Sequence, residues 1–404
     1  MAHRPDTRCA DTKPADLIQQ LKAHANERRT HAAQRSLTPA DSVGKFITRT
    51  VDGQPRRLLN LAGNDYLALA THPRLRDAAN AANHHYGTGS AASRLVTGTL
   101  PPHASLEPRF AAFKHAEAAL LFPTGTMANL GVLTALARPG DLICQDKLNH
   151  ACLIDGAKFS GATVRTFPHQ NYDKLERLLH QATPPSKRRV FVTTDAVFSM
   201  DGTVADLPRL LELCNAHNAT LIVDEAHGTG ILGKHGTGLA EHQGVASQIP
   251  ITVSTASKAL GCVGGLVTAA APVIDELVNH ARTFIYTTAP PASVPASIDA
   301  ALDVIRDEPQ RRQRLADIIQ HVRAGLRDAG WNVTDDPTPI VPLTLGQNEA
   351  ALAFADQLQQ AGFLAVAIRP PTVAPGTARV RLSLRCDLTD DECDALVRAA
   401  ACAI

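Results

Sequence analysis

Residues 221–230 read LIVDEAHGTG and residues 254–261 read STASKALG, and these two stretches decide the fold. In the first, an apolar β-branched run delivers Asp224, Glu225 and His227 at its end; in the second, ITVST leads to Lys258 behind small residues. Strands buried on both faces read as continuous apolar runs, and ionisable groups at their ends mark where burial stops. Outward from these stretches the same rhythm predicts strands at 119–122, 142–144, 163–167, 190–194, 220–223 and 251–255. Helix-length segments lie between them, the pattern of a mostly parallel central sheet covered by helices, and the fold class is therefore α/β. In an open sheet of this kind ligands bind beyond the carboxyl ends of the strands. Asp195, Asp224 and residues 254–258 accordingly point at one site.

After Pro290 the rhythm changes. A helix-favouring stretch at 296–329 leads to short strands at 331–333 and 340–345, a helix at 349–361, a strand at 380–384 and a closing helix. These predict a smaller C-terminal α+β domain over 291–404, a large domain over 58–290, and an N-terminal arm over 1–57 with an amphipathic helix at 15–35. The 404 residues are 44% hydrophobic and 20% charged with a net charge of +1, which argues against disorder and against a chain-wide basic footprint for nucleic acid. No apolar run reaches the length of a membrane span and no secretory leader opens the chain, so a cytoplasmic protein is expected. The eight cysteines, Cys9 to Cys402, are scattered without a CxxC pair, and neither a metal site nor a disulfide framework is expected. No GxGxxG opens a helix after the first strand, which leaves a nicotinamide-binding reading without support.

Taken singly, the chemical features are weak. A strand-end acid often caps a helix, and an isolated lysine is usually a surface residue. Lys258, however, sits among small neighbours that let a flat cofactor approach the backbone, and desolvation there lowers a lysine pKa so that the free amine attacks a carbonyl. FPTGTMANLG, residues 122–131, runs from a strand through Gly125 and Thr126 into a helix, whose free amides and positive dipole end suit a phosphate. Thr255 can add a hydroxyl to that seat. His150, just past the strand at 142–144, offers a flat ring for stacking, although a lone histidine there is more often structural.

Asp224 and Lys258 together resemble the aspartate and lysine of fold-type I pyridoxal-phosphate (PLP) enzymes, in which an aspartate on the pyridinium nitrogen keeps the cofactor an electron sink. From about residue 60 to 384 the ordered motifs are similar to those of the α-oxoamine synthases. They are GNDYLALATHP (63–73), GTGSAASRLVTGT (87–99), NHACLIDGAKFSGA (149–162), TDAVFSMDGTVADLP (194–208), VDEAHGTGILG (223–233), FIYTTAPP (284–291) and AIRPPTVAPGTARVRLSL (367–384). The ASRLVTG and IRPPTVAPGTARVR strings resemble the oxononanoate synthase branch more than the glycine acetyltransferase, aminolevulinate synthase or serine palmitoyltransferase branches.

The resemblance implies PLP as cofactor and L-alanine with a pimeloyl thioester as substrates, the acyl group carried by acyl carrier protein or coenzyme A. It implies Lys258 as the cofactor-binding lysine, Asp224 as the ring-nitrogen partner, His150 stacked on the ring, and His227 and Ser199 on its phenolic oxygen. Arg369 and Asn64 would hold the amino-acid carboxylate, Thr372 would sit near the acyl chain, and Arg35 would meet the far carboxyl. A homodimer is also implied, with Thr287 or Thr288 reaching a phosphate across the interface. Ser257, Thr126, Ala68 and Thr229 depart from the usual pattern without removing a catalytic group. The alternatives are a glycine-using acyltransferase and, in another class, a catalytically silent PLP-fold binding subunit; the latter should have lost Lys258 or Asp224.

Overall fold

A hairpin, β1 (Phe46–Val51) and β2 (Gln54–Asn60), precedes seven strands that form the central sheet: β3 (Ala118–Phe122), β4 (Leu142–Asp146), β5 (Thr163–Phe167), β6 (Val190–Asp195), β7 (Thr220–Asp224), β8 (Ile251–Thr255) and β9 (Gly265–Ala269). The C-terminal unit adds β10 (Ile340–Gly346), β11 (Phe363–Leu364), β12 (Val366–Ile368) and β13 (Ala378–Ser383). The structure is a computed structural model that describes residues 14–35, 37–51, 53–182 and 188–401. Cys9 and Cys402 lie outside these residues, and the six other cysteines are free thiols.

The large sheet has the order β3-β9-β8-β7-β6-β4-β5. Its strands are parallel except β9, which runs antiparallel to β3 and β8. β4, β7 and β8 are buried nearly end to end, as expected of strands covered by helices on both faces. The six strands expected in this region all form, each within a residue or two of its expected limits. β9 is not among the expected strands: its GLVTA follows Gly264 with no turn signal to set it off from the glycines after Lys258.

Two expectations are corrected. Residues 331–333 form no strand. Trp331 instead stacks on Phe354 with ring centroids 5.4 Å apart and donates from Nε1 to the carbonyl of Ala400, so its apolar neighbourhood signals packing rather than pairing. The N-terminal helix spans Pro14–Thr30, but it buries no clear apolar face: Leu17, Ile18 and Leu21 are all exposed. β2 pairs in parallel with β11, so the residues just beyond the arm are stitched to the C-terminal unit. The helix Ser293–Asp307 packs against the helices Pro73–Tyr86 and Pro101–Phe113 of the large unit.

The turn after β8 that carries Lys258 is tightly seated. Gly261 has φ +66°, and a Cβ there would lie 2.4 Å from the backbone nitrogen of Ala70. Gly261→Ala is expected to destabilise the fold by about 2–5 kcal/mol, combining left-handed strain with overpacking. Gly244 has φ +74° with open space around it. Gly244→Ala should cost only about 1–2 kcal/mol, from strain alone. Denaturant titration of the two variants checks this, and equal losses would contradict it.

Candidate active site

Parallel pairing of β6, β7 and β8 sets Asp195, Asp224 and Val253 in one row at the carboxyl end of the sheet. The loops leaving that end enclose a cavity of about 200 Å³. Lys258, Asp224, His227, His150, Ser199, Gly125, Thr126 and Thr255 all line it.

Asp224 is 5% exposed and accepts two hydrogen bonds, at Oδ2 from Asn129 Nδ2 (2.6 Å) and at Oδ1 from the backbone nitrogen of Ala226 (2.8 Å). These donors fix both oxygens of the carboxylate in place. Burial, and then the charge of Asp224, push neighbouring Asp195 well above the ordinary carboxylate range. Asp195 Oδ2 accepts from the backbone nitrogen of His150 at 2.7 Å, which fixes where that residue leaves β4. His150 caps the helix Ala151–Phe159, its Nδ1 facing the amide and thiol of Cys152 at 3.3 and 2.8 Å. Burial pushes that thiol up to about 12, so it stays protonated. With Nδ1 accepting, the imidazole proton sits on Nε2, and the ring stands exposed at the cavity mouth.

Burial lowers the affinity of the Lys258 amine for a proton; Asp224 opposes this and Arg381 adds to it. His227 is held well below the ordinary imidazole range by burial first, then by Lys258, Arg381 and His150. Tyr66, pushed up to about 12 by burial, keeps its proton and shares it with His227 Nδ1 at 2.7 Å. His227 is therefore neutral, and the tautomer that accepts from Tyr66 at Nδ1 carries its proton on Nε2, while Tyr66 Oη also lies 3.2 Å from Asn64 Oδ1.

On the opposite wall Thr124 caps the helix Gly125–Leu136, its Oγ1 accepting from the backbone nitrogen of Met127. The amides of Gly125 and Thr126 precede any intrahelical acceptor and remain available to an anion. A Cβ on Gly125 would stand 3.2 Å from Thr255, so glycine keeps this seat open. Thr255 donates its hydroxyl proton to the carbonyl of Gly264, while Ser257 Oγ lies 2.9 Å away. The residues fit PLP: a carboxylate for the ring nitrogen, an amine for the aldehyde, an imidazole N–H for the phenolic oxygen and helix amides for the phosphate.

The expected carboxylate pair is not brought together. Arg369 donates to the carbonyls of Ala32 and Gln34, in a separate groove that also holds Arg35 and Thr372. Arg35 Nη2 donates to Thr372 Oγ1 at 3.1 Å. Burial and then the neighbouring Arg35 lower the pKa of Arg369. Asn64 instead accepts from Arg381 Nη2 at 2.7 Å, and the same nitrogen lies 3.3 Å from Tyr66 Oη. Arg381 is buried, and its Nε has no hydrogen-bond partner. Sequence reasoning passed over Arg381, Tyr66 and Asn129. The last sits four residues after Gly125 and therefore on the same helix face, which is the one signal that could have found it. Thr287 and Thr288 do not line the cavity within one chain. Among the described residues no cluster suits a metal ion and no helix is long and apolar enough to cross a membrane.

Residues 56–399 match the family described as aminotransferase class I and II. The chain is 42% identical to the 8-amino-7-oxononanoate synthase of Methylococcus capsulatus, covering 97% of this chain and 98% of that one. It is 43% identical to the enzyme of the same name from Geobacter sulfurreducens, over 95% and 97%. A structure of serine palmitoyltransferase from S. paucimobilis with bound PLP-myriocin superposes with a TM-score of 0.89 at 26% identity, over 97% and 98% of the two chains.

The depressed pKa of His227 has a signed consequence. Below about pH 6.5 the unfolded chain takes a proton that folded His227 refuses. This one group should therefore make stability fall with falling pH, by up to about 1.4 kcal/mol per unit, until the folded pKa is reached. In His227→Gln that part of the slope should vanish. Unfolding free energies measured from pH 7.5 to 5 check this, and an unchanged slope would contradict it.

Proposed function

Because the chain belongs to the aminotransferase class I and II family and stands by identity with its 8-amino-7-oxononanoate synthases, we propose that it is a PLP-dependent acyltransferase of biotin synthesis. It joins L-alanine to a pimeloyl thioester, releases the thiol and CO2, and yields 8-amino-7-oxononanoate. The observation that carries this reading is the convergence of Lys258, Asp224 with Asn129, and neutral His227 on one cavity.

The bound cofactor supplies an electron sink for negative charge on the α-carbon of the amino acid. Asp224, fixed by its two hydrogen bonds, would hold a proton on the ring nitrogen. His227 Nε2–H and the Ser199 hydroxyl would hold the phenolic oxygen, and His150 would offer its ring for stacking. The Gly125 and Thr126 amides, with the Ser257 hydroxyl, would take the phosphate, and Thr255, whose proton goes to the Gly264 carbonyl, would line the seat beside them. Lys258 would hold the cofactor through its amine and, when free, take the α-proton, the burial that lowers its pKa favouring the unprotonated base. For the α-carboxylate the geometry favours Arg381 with Asn64, since a buried guanidinium with an unpartnered Nε is built for an anion. Holding that carboxylate orients the α C–H bond toward Lys258.

Once the thioester carbon has bonded to the α-carbon and the thiol has left, the carboxylate departs as CO2 and a proton returns to the α-carbon. Arg35 meets the far carboxyl of the acyl group, with Thr372 and Arg369 beside it. Neither arginine makes an ion pair among the described residues; their hydrogen bonds go to carbonyls and a hydroxyl.

The chain works as a homodimer in this reading, with Thr287 or Thr288 completing the partner's phosphate seat. Support comes from the exposed Leu95, Val96 and Tyr286, on neighbouring segments joined by Arg94 stacked against Phe284. A glycine- or serine-using relative is the second reading, favoured by the likeness to serine palmitoyltransferase.

A matrix of amino acids against acyl thioesters, read by CO2 release and product mass, decides between them. Alanine with pimeloyl thioester should be fastest, with glycine slower by about 10- to 200-fold, the worth of one methyl group. Preference for glycine with acetyl thioester, or for serine with palmitoyl thioester, would refute the choice of substrates. Arg381→Lys should raise the KM for alanine more than Arg369→Lys does, and the reverse order would return the carboxylate to Arg369. Borohydride reduction should fix the cofactor to the peptide containing Lys258.

A further inference from the structure

We propose that Arg379 is a positioning residue: its ion pair with Asp201 locks the turn that presents Ser199 to the strand that carries Arg381, so that one contact sets the Ser199 wall of the cavity and Arg381 together. The proposal rests on the reading above of Ser199 and Arg381.

The turn belongs to the large sheet. It leaves β6, and the backbone nitrogens of Phe198 and Gly202 donate to the carbonyls of Thr203 and Phe198 at 2.9 and 2.8 Å. One flank is anchored to the same domain: His169 Nε2 lies 3.0 Å from Thr203 Oγ1, and its ring packs edge-on against Phe198. The tip is held from the C-terminal unit. Arg379 Nη1 donates to Asp201 Oδ1 at 2.6 Å and to the carbonyl of Met200 at 3.2 Å. Thr338 Oγ1 donates to the carbonyl of Gly202 at 2.7 Å. Buried Arg323 fixes this support by donating to the carbonyls of Thr338 and Ile340. Gly202 has φ +70°, and a Cβ there would stand 2.2 Å from the carbonyl of Ile340, so the turn lies directly on β10.

Arg379 and Arg381 are two residues apart on β13 and share a face of that strand. One reaches the tip of the Ser199 turn and the other reaches Asn64 and Tyr66. With side-chain exposures of 10% and 27%, the Arg379–Asp201 pair is sheltered enough to hold its geometry, unlike a surface pair. A displacement of β13 moves the carboxylate-binding arginine and the turn together. Cutting the pair uncouples them.

The test uses holoenzyme and four variants: Arg379→Gln, Arg379→Lys, Ser199→Ala, and Arg379→Gln in Ser199→Ala. The visible spectrum of the bound cofactor, the pH midpoint of that spectrum, and KM and kcat for alanine are measured. Arg379→Gln should raise the KM for alanine by about tenfold or more and shift the pH midpoint, with Arg379→Lys recovering most of both; misplacement of about 1 Å can cost roughly 100-fold. In the Ser199→Ala background Arg379→Gln should add little further spectral shift, because both act through one hydroxyl. Additive spectral shifts, or a wild-type spectrum and KM with only a lower melting temperature, would overturn the proposal. Should Arg379→Gln fail to fold, Asp201→Asn cuts the same pair from its more exposed side and is judged by the same outcomes. A colourless wild type would overturn the PLP reading and this proposal together, whereas a coloured, active enzyme indifferent to Arg379 overturns this proposal alone.

Discussion

A carboxyl group can be buried without loss only if hydrogen-bond partners are aimed at it, and the site depends on this constraint at Asp224. Parallel pairing of β6, β7 and β8 brings that carboxylate to the edge of the buried sheet, and Asn129 and the backbone of residue 226 supply the donors. Two carboxylates in adjacent strands repel each other, and Asp195 yields: its affinity for a proton rises, and its oxygen serves to place His150. The low polarity that burdens Asp195 also depresses Lys258 and His227. One constraint thus leaves a doubly hydrogen-bonded carboxylate beside an amine and an imidazole whose pKa values burial lowers.

The central sheet was legible because its strands are apolar on both faces, and Lys258 and Asp224 were legible because each interrupts such a run at its end. Gly125 and Thr126 could be read from a strand-to-helix turn. Other parts were hidden for physical reasons. Asn129 lies in an apolar helix, and its role appears only when that helix meets β7. Tyr66 matters through His227, a contact across 161 positions of sequence. β9 has no pattern of its own to set it apart from the glycines before it, and the apolar residues around Trp331 pack without pairing.

The arginines show the same limit most clearly. Arg369 stands between an isoleucine and two prolines, where a planar cation looks purposeful, whereas Arg379 and Arg381 alternate along a strand and resemble a solvated edge. The fold reverses this impression. β13 is the central strand of its small sheet, flanked by β10 and β12, so its arginines are buried and directed at partners in the large domain. Arg369 lies at the groove by the N-terminal segment, beside Arg35 and Thr372. Arg381 and Arg369 thus stand in separate places, a division that spacing along the chain does not reveal.

The central claim is that Asp224 keeps a proton on the cofactor ring nitrogen. Nitrogen-15 NMR of the protein loaded with ring-labelled PLP reads that proton directly. The account predicts a protonated ring nitrogen in the wild-type protein near pH 7.5 and an unprotonated one in Asp224→Asn. The same protonated signal in both proteins would contradict it.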